Sequence, residues 1–213
     1  GINHLLIEFE DKFPFDAFPC VKHPAAYTKE EFRRLNDKCR SLGIGIIPLL
    51  QSVGHLDYLL KHDAFRSLRE GTSSYQWCLS DSRASTVWKT MVRELLEVFP
   101  NCEYFHIGAD EVSFKHPCSR CENQDRFQLY RDHVEQCADF LILHEKKVIM
   151  WDDMFRSHDP EPLEKLLHKV IPCVWLYRNV DEAVIRRYHE HGITFWGASS
   201  IQANYRYRGM GAQ

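Results

Sequence analysis

Short apolar runs of strand length alternate with amphipathic stretches of helical period from end to end of this chain, and no glycine-rich phosphate loop follows the first run. The chemically distinctive side chains collect just beyond the apolar runs. Together these observations predict an α/β protein with parallel strands, built as a (β/α)8 TIM barrel rather than as a doubly wound dinucleotide-binding sheet.

Strands are expected near residues 3–9, 44–50, 103–107, 148–151, 171–175 and 194–197. Thr28-Lys29-Glu30-Glu31 has the Thr-x-x-Glu form of a capping box and opens a helix that Gly43 stops. A second helix starts at Asp81 or Ser82, carries Val87, Met91, Leu95, Leu96 and Val98 on its apolar face, and ends before Pro100. Phe127, Tyr130, Val134, Cys137, Leu141 and His144 recur at helical spacing in a third. Residues 160–168 and 180–191 supply two more, the last closed by Gly192. Six strands are visible where a closed barrel needs eight. The expectation is therefore one barrel domain over residues 1–213, holding about strands 2–7 and truncated at both ends. Open sheet edges are an aggregation hazard, so this piece alone is expected to be poorly stable or inactive.

With 213 residues, 44% hydrophobic and 27% charged, the chain has the length and composition of one ordinary globular domain. A formal charge of −3 without a dense basic run gives no electrostatic case for nucleic acid. No apolar run approaches the roughly 18–20 residues of a membrane span. The eight cysteines are scattered, with Cys39 and Cys137 in helical patterns and Cys173 in an apolar strand, which favours a reducing compartment. Cys118-Ser119-Arg120-Cys121 is the exception. One Cys-x-x-Cys supplies two or three metal ligands with the nearby His116, and no second pair completes a tetrahedral zinc site. A reduced loop or an opportunistic disulfide is the expectation there, with no metal and no cofactor.

The most informative string is His106-Ile107-Gly108-Ala109-Asp110-Glu111, which ends the apolar run Tyr104-Phe105-His106-Ile107. Two adjacent carboxyl groups at a strand end can take separate roles, one giving a proton and one staying anionic. The bland alternative is an acidic loop capping a helix. Trp151, Trp175 and Trp196 stand at later strand ends, where indole faces suit the C–H surface of a pyranose, although core packing is the default for any one of them. Trp88 lies within a helix and reads as core. Asp11, Asp152 and Asp153 each accept a sugar hydroxyl or cap a helix. His106 is either a satisfied core histidine or support for the site. His55, after Gly54, is a candidate hydrogen-bond partner of an active-site carboxylate.

His106-x-Gly108-x-Asp110-Glu111 resembles the active-site signature of glycoside hydrolase family 20, the β-N-acetylhexosaminidases. Asn3 to Asp11 followed by Phe13-Pro14-Phe15, and Ile46 to His55, resemble the second and third strands of its hexosaminidase D branch. Trp151-Asp152-Asp153-Met154 and Trp196-Gly197-Ala198-Ser199 resemble later strand ends. The resemblance implies an exo-acting enzyme, without metal, that hydrolyses terminal N-acetyl-D-hexosamine residues with retention. It implies that Asp110 orients the 2-acetamido group and Glu111 is the general acid/base. It further implies that Tyr177 hydrogen-bonds the acetamide oxygen and that His106 belongs to the site; with these, His55, Trp151, Asp152, Trp175, Trp196 and Asp11 are the candidate sugar-binding residues read from their strand-end positions. An amino-sugar glycoside would be the partner, with no nucleic acid or membrane, in the cytoplasm or nucleus. The family's first-strand arginine, which binds the sugar 3- and 4-hydroxyls, has no counterpart before Asn3. Tyr205-Arg206-Tyr207-Arg208 likewise offers no last-strand tryptophan and acid. The competing reading is a non-catalytic carbohydrate-binding or interaction protein on the same scaffold.

Overall fold

The computed structural model describes residues 1–115, 117–156, 158, 163–176 and 181–199. The elements run β1 (His4–Glu8), α1 (Lys29–Ser41), β2 (Gly45–Leu49), α2 (Asp57–Leu60), α3 (Ser82–Val98) and β3 (Tyr104–His106). They continue with α4 (Arg126–Leu143), β4 (Lys147–Trp151), α5 (Asp153–Arg156), α6 (Glu164–Leu167), β5 (Val170–Trp175), α7 (Glu182–Glu190) and β6 (Trp196–Ala198). The six strands form one sheet in the order β1-β2-β3-β4-β5-β6, every neighbouring pair parallel. Sequential order with helical crossovers is the winding of a barrel; a doubly wound sheet would reverse its strand order.

Local chemistry explains the helix ends. Thr28 caps α1 by accepting from the Glu31 N–H while Glu31 returns a bond to the Thr28 N–H, the reciprocal capping box. Asp81, Asp125 and Asp181 cap α3, α4 and α7 in the same sense, each carboxylate accepting a backbone N–H of the first turn. Gly43 and Gly192 follow α1 and α7 with φ of +71° and +63°, the left-handed exit that glycine takes without a Cβ clash.

Packing divides into two layers because strand side chains alternate. One set, including Phe105, Val148, Met150 and Val174, joins Trp88, Met91, Leu95, Val134 and Leu141 of α3 and α4 in the main core. Trp88 is fully buried and donates its indole N–H to the Leu50 carbonyl. The other set meets on the inner face: Ile47, Ile149 and Cys173, with Tyr104, Trp151, Ile171 and Trp196 packed against them. A buried carboxylate ties down the long connection after β1. Glu94 of α3 accepts the Asp16 and Ala17 N–H groups at 2.7 and 2.9 Å and pairs with Lys29 at 2.7 Å.

These contacts set a stability order. Trp88→Ala is expected to lower unfolding free energy by about 3–5 kcal/mol, since the indole leaves a cavity. Thr28→Ala, which removes only a cap, should cost about 1 kcal/mol. Denaturant titration of both variants tests the ranking.

Candidate active site

The C-terminal ends of the strands open onto a cleft of about 400 Å³. Each strand end contributes to it: Glu8 at the end of β1 and Glu10 just beyond, Gln51 and His55 after β2, Asp110 and Glu111 after β3. Trp151 closes β4, Trp175 and Leu176 follow on β5, and Ala198 and Ser199 on β6. Parallel winding puts all these ends on one side, and alternation turns every second side chain inward.

The acidic pair is carried on a strained turn. Gly108, Ala109 and Glu111 have φ of +63°, +70° and +51°. Only glycine adopts that region freely, and side chains held there cost about 1–3 kcal/mol each. Gly108 is required twice over, because a Cβ on it would lie 1.9 Å from the Gln51 Oε1. Surrounding hydrogen bonds hold the turn. Gln51 Oε1 accepts the Ala109 N–H at 3.2 Å, and the buried Tyr130 hydroxyl donates to the Ala109 carbonyl at 2.7 Å. Asp153 accepts the Glu111 N–H at 2.9 Å, and the Trp151 N–H donates to the Gly108 carbonyl at 3.0 Å.

His55 ties the two carboxylates together. Its Nε2 lies 3.4 Å from Asp110 Oδ2, 3.4 Å from Glu111 Oε2 and 3.0 Å from the Tyr75 hydroxyl. Tyr75 in turn donates to the Glu111 carbonyl at 3.2 Å. Gly54 lets this turn approach, since a Cβ there would sit 3.1 Å from the Asp110 carbonyl oxygen. The hydrogen bond to Asp110 raises the His55 pKa above its usual 6.5, burial opposing and the charges of Asp110 and Glu111 adding. Asp110 Oδ1 is buried and has no hydrogen-bond partner among the described residues. Glu111 is half exposed at the rim. Three further carboxyls are shifted upward. Burial is the first cause at Glu8, Glu10 and Asp153, reinforced by Glu10 and Asp110 at Glu8, by Asp11 at Glu10, and by Asp110 at Asp153.

The structure brings Asp110, Glu111, His55, Trp151 and Trp175 to the cleft and places other anticipated residues elsewhere. His106 sits beneath it, 1% exposed and 4.4 Å from the Trp151 ring, accepting the Gly108 N–H on Nδ1. Burial pushes its pKa down to about 3, so it is a neutral support. Asp152 is fully buried, ion-paired with Arg156 at 2.5 Å, and not among the residues that line the cleft. Asp11 pairs with Lys12 and Lys61 at 3.2 and 3.5 Å, and its neighbour Glu10 takes the place at the cleft. Trp196 begins β6 rather than ending it and packs on Tyr104 at 4.9 Å, toward the opposite end of the sheet. Tyr177 lies outside the described residues. Sequence reading placed Glu10 at a strand end without giving it a role, and passed over Glu8, Gln51 and Tyr75. Glu8, as a carboxylate ending an apolar strand, carried a signal; Tyr75 carried none, since it reaches the site from a loop remote in sequence.

His55, Asp110 and Glu111 each offer an atom within 4.8 Å of the others, close enough to share one ion. A second such group, Glu70, Cys78, Cys118 and Cys121, lies apart from the cleft.

Comparisons with known proteins agree in one direction. The family model for the catalytic domain of glycosyl hydrolase family 20 matches residues 10–203. Hexosaminidase D of Bos taurus is 26% identical over 220 residues, covering 95% of this chain and 64% of that protein. Hexosaminidase D of Homo sapiens is 30% identical over 190 residues, covering 83% of this chain and 39% of that protein. The chain thus spans between two fifths and two thirds of these relatives. In fold it superposes on the family 20 exo-β-N-acetylglucosaminidase of Vibrio harveyi with a TM-score of 0.72, at 18% identity, over 92% of this chain and 36% of that one. The β-N-acetylhexosaminidase of Bacteroides fragilis gives 0.71 at 19% identity, over 91% and 42%.

Two outcomes follow from the turn. Gly108→Ala combines a left-handed alanine with a clash on Gln51 and is expected to cost about 2–4 kcal/mol, read by denaturant unfolding. The His55 contacts give a pH signature. A pKa raised by folding stabilises fully below the unfolded value of 6.5 and fades as pH rises through the folded one. The stability gap between wild type and His55→Gln should therefore be larger at about pH 6 than at about pH 9. An unchanged gap would refute the assignment.

Proposed function

This chain belongs to glycoside hydrolase family 20, and on that premise we propose that the protein containing it is an exo-acting β-N-acetylhexosaminidase. It releases terminal N-acetyl-D-hexosamine residues, of the gluco or galacto configuration, with retention. Residues 1–213 are read as part of its one catalytic barrel domain.

The observation that carries this reading is the pairing of an unsatisfied carboxylate oxygen with an exposed carboxyl. Asp110 Oδ1 is buried without a partner while Asp110 Oδ2 is fixed by His55. A buried acceptor left open costs free energy unless a ligand supplies a donor, and an acetamide N–H is such a donor. Held there, the acetamide oxygen is aimed at the anomeric carbon and displaces the leaving group, forming an oxazolinium ring whose positive charge Asp110 stabilises. Glu111, at the rim, protonates the departing glycosidic oxygen and then takes a proton from the water that opens the ring. One oxygen of each carboxylate lies within 4.8 Å of the other. Attack by the acetamide oxygen inverts the anomeric centre once and the water that opens the ring inverts it again, so the net outcome is retention.

The walls suit an amino sugar. Trp151 and Trp175 offer flat aromatic surface for the pyranose, and Leu176 and Ala198 offer apolar surface for the acetamide methyl. Trp175 is oriented by its indole N–H on Asp153 Oδ1 at 3.4 Å, and Asp153 also holds Glu111. Glu8 and Glu10 are placed to accept sugar hydroxyls. No helix among the described residues is long and apolar enough to cross a membrane, and all eight cysteines stand as thiols. The free thiols support a reducing setting such as the cytoplasm or nucleus.

Hydrolysis of aryl N-acetyl-β-glucosaminide and galactosaminide by the full-length protein tests the proposal. Glu111→Gln should lower kcat by roughly 10²–10⁴-fold on substrates with poor leaving groups and by less on activated aryl ones. Asp110→Asn should impair both classes alike. A folded wild type that binds the sugars without turnover would favour the carbohydrate-binding reading instead.

A further inference from the structure

The Cys118-x-x-Cys121 pair meets two ligands that its own neighbourhood in sequence does not supply. Residues 69–78 fold back on themselves through an antiparallel bridge between Arg69 and Trp77, which sets Glu70 beside Cys78. The turn carrying Cys118 and Cys121 packs against this hairpin. Cys78 Sγ lies 3.2 Å from Cys121 Sγ and 3.4 Å from Cys118 Sγ, and Cys121 Sγ lies 3.4 Å from Glu70 Oε2. One ligand atom from each of the four residues falls within 4.8 Å of all the others.

We propose that Glu70, Cys78, Cys118 and Cys121 bind one zinc-class divalent ion as a closed structural site that clamps the segment following Glu111 to the 69–78 hairpin. Four observations carry this. A tetrahedron with Zn–S bonds of about 2.3 Å has edges of about 3.8 Å, so the observed spacings need only a few tenths of an ångström to seat an ion. They are far longer than the roughly 2.05 Å of a disulfide. Glu70 is 8% exposed, and among the described residues no basic side chain lies within ion-pair distance of it. A buried carboxylate without a cation is costly, and a metal supplies that charge. Three sulfur donors with one oxygen also form a soft, compact set that selects zinc over magnesium or calcium.

The surroundings orient the ligands. The Cys118 N–H donates to Glu70 Oε1 at 2.6 Å, leaving Oε2 for the ion, and Ser80 Oγ lies 3.3 Å from Cys121 Sγ. Arg120 hydrogen-bonds Cys118 and anchors the turn on the Ser67 and Arg69 carbonyls at 3.1 and 3.3 Å. Supporting bonds of this kind fix the geometry of metal ligands. Between the cluster and the cleft the two segments are already laced together: Gln76 exchanges bonds with the Ser113 backbone at 2.9 Å in both directions. Tyr75, on the same hairpin, reaches His55 and the Glu111 carbonyl. Binding an ion at the cluster therefore stiffens the turn that presents Glu111. This site does not depend on the proposed hydrolase reaction.

The test is metal content. Full-length protein is reduced, loaded with zinc, dialysed against metal-free buffer and assayed by elemental analysis, with thiol alkylation mapped in parallel. One retained zinc per chain, with Cys78, Cys118 and Cys121 protected from alkylation and Cys20 reactive, is the expected result. Cys118→Ala/Cys121→Ala should lose the zinc, whereas His55→Asn and Cys20→Ser should keep it. If the double variant does not fold, cobalt substitution of the wild type decides: intense thiolate-to-cobalt charge-transfer absorption supports the site, and its absence overturns it. Retention of zinc by the folded double variant, loss in His55→Asn, no retained zinc in the wild type, or a mapped disulfide within the cluster each overturns the proposal.

Discussion

Three of the four residues from Gly108 to Glu111 hold left-handed backbone conformations, and the cleft takes its form from the contacts that keep them there. A free chain would relax this turn. It persists because Gln51, Tyr130 and Asp153, from three different parts of the fold, each occupy one of its backbone groups. Strain of about 1–3 kcal/mol per residue is sustainable only when a rigid frame over-determines it. The frame here is the parallel ladder, whose pairing continues past β3 as Ile107 and Gly108 bond to β4 and Ser52 bonds to Ile107.

The same frame accounts for the electrostatics. Five acidic residues, Glu8, Glu10, Asp110, Glu111 and Asp153, lie in or beside one cleft. Burial raises the pKa values of Glu8, Glu10 and Asp153, and neighbouring carboxylates add to it: Glu10 and Asp110 at Glu8, Asp11 at Glu10, and Asp110 at Asp153. His55 is the basic group among the lining residues, and it sits within reach of the two carboxylates assigned to the chemistry. The arrangement fixes Asp110 on one oxygen and leaves the other open. Rigid fixation of one side of a group is what makes the other side selective for a ligand of matching polarity.

Much of the architecture was legible because it rests on local rules. The capping box at Thr28, the helix start at Asp81, and the glycine exits at Gly43 and Gly192 can each be read from a few neighbouring residues. Strand positions came within one or two residues because buried parallel strands write themselves as apolar runs. The Asp110-Glu111 pair was legible for the same reason, since a polar string directly after such a run must lie at the sheet's C-terminal end. What local rules could not resolve was which way a strand-end side chain points. Trp151 and Trp196 look alike in sequence, yet one ends its strand at the cleft and the other starts its strand at the far end. Asp152 and Asp153 are adjacent, yet one is spent on Arg156 and the other holds Glu111.

The sequence by itself determined the fold class, the order of elements and the position of the acidic pair, because periodicity and capping act between residues close in the chain. Tertiary structure alone decided the partners of those residues. Tyr75 reaches His55, Gln51 fills the space beside Gly108, and Glu70 and Cys78 join Cys118 and Cys121. Those meetings depend on how loops of different lengths close over the strand ends. Loop closure is governed by contacts remote in sequence, which no local pattern records.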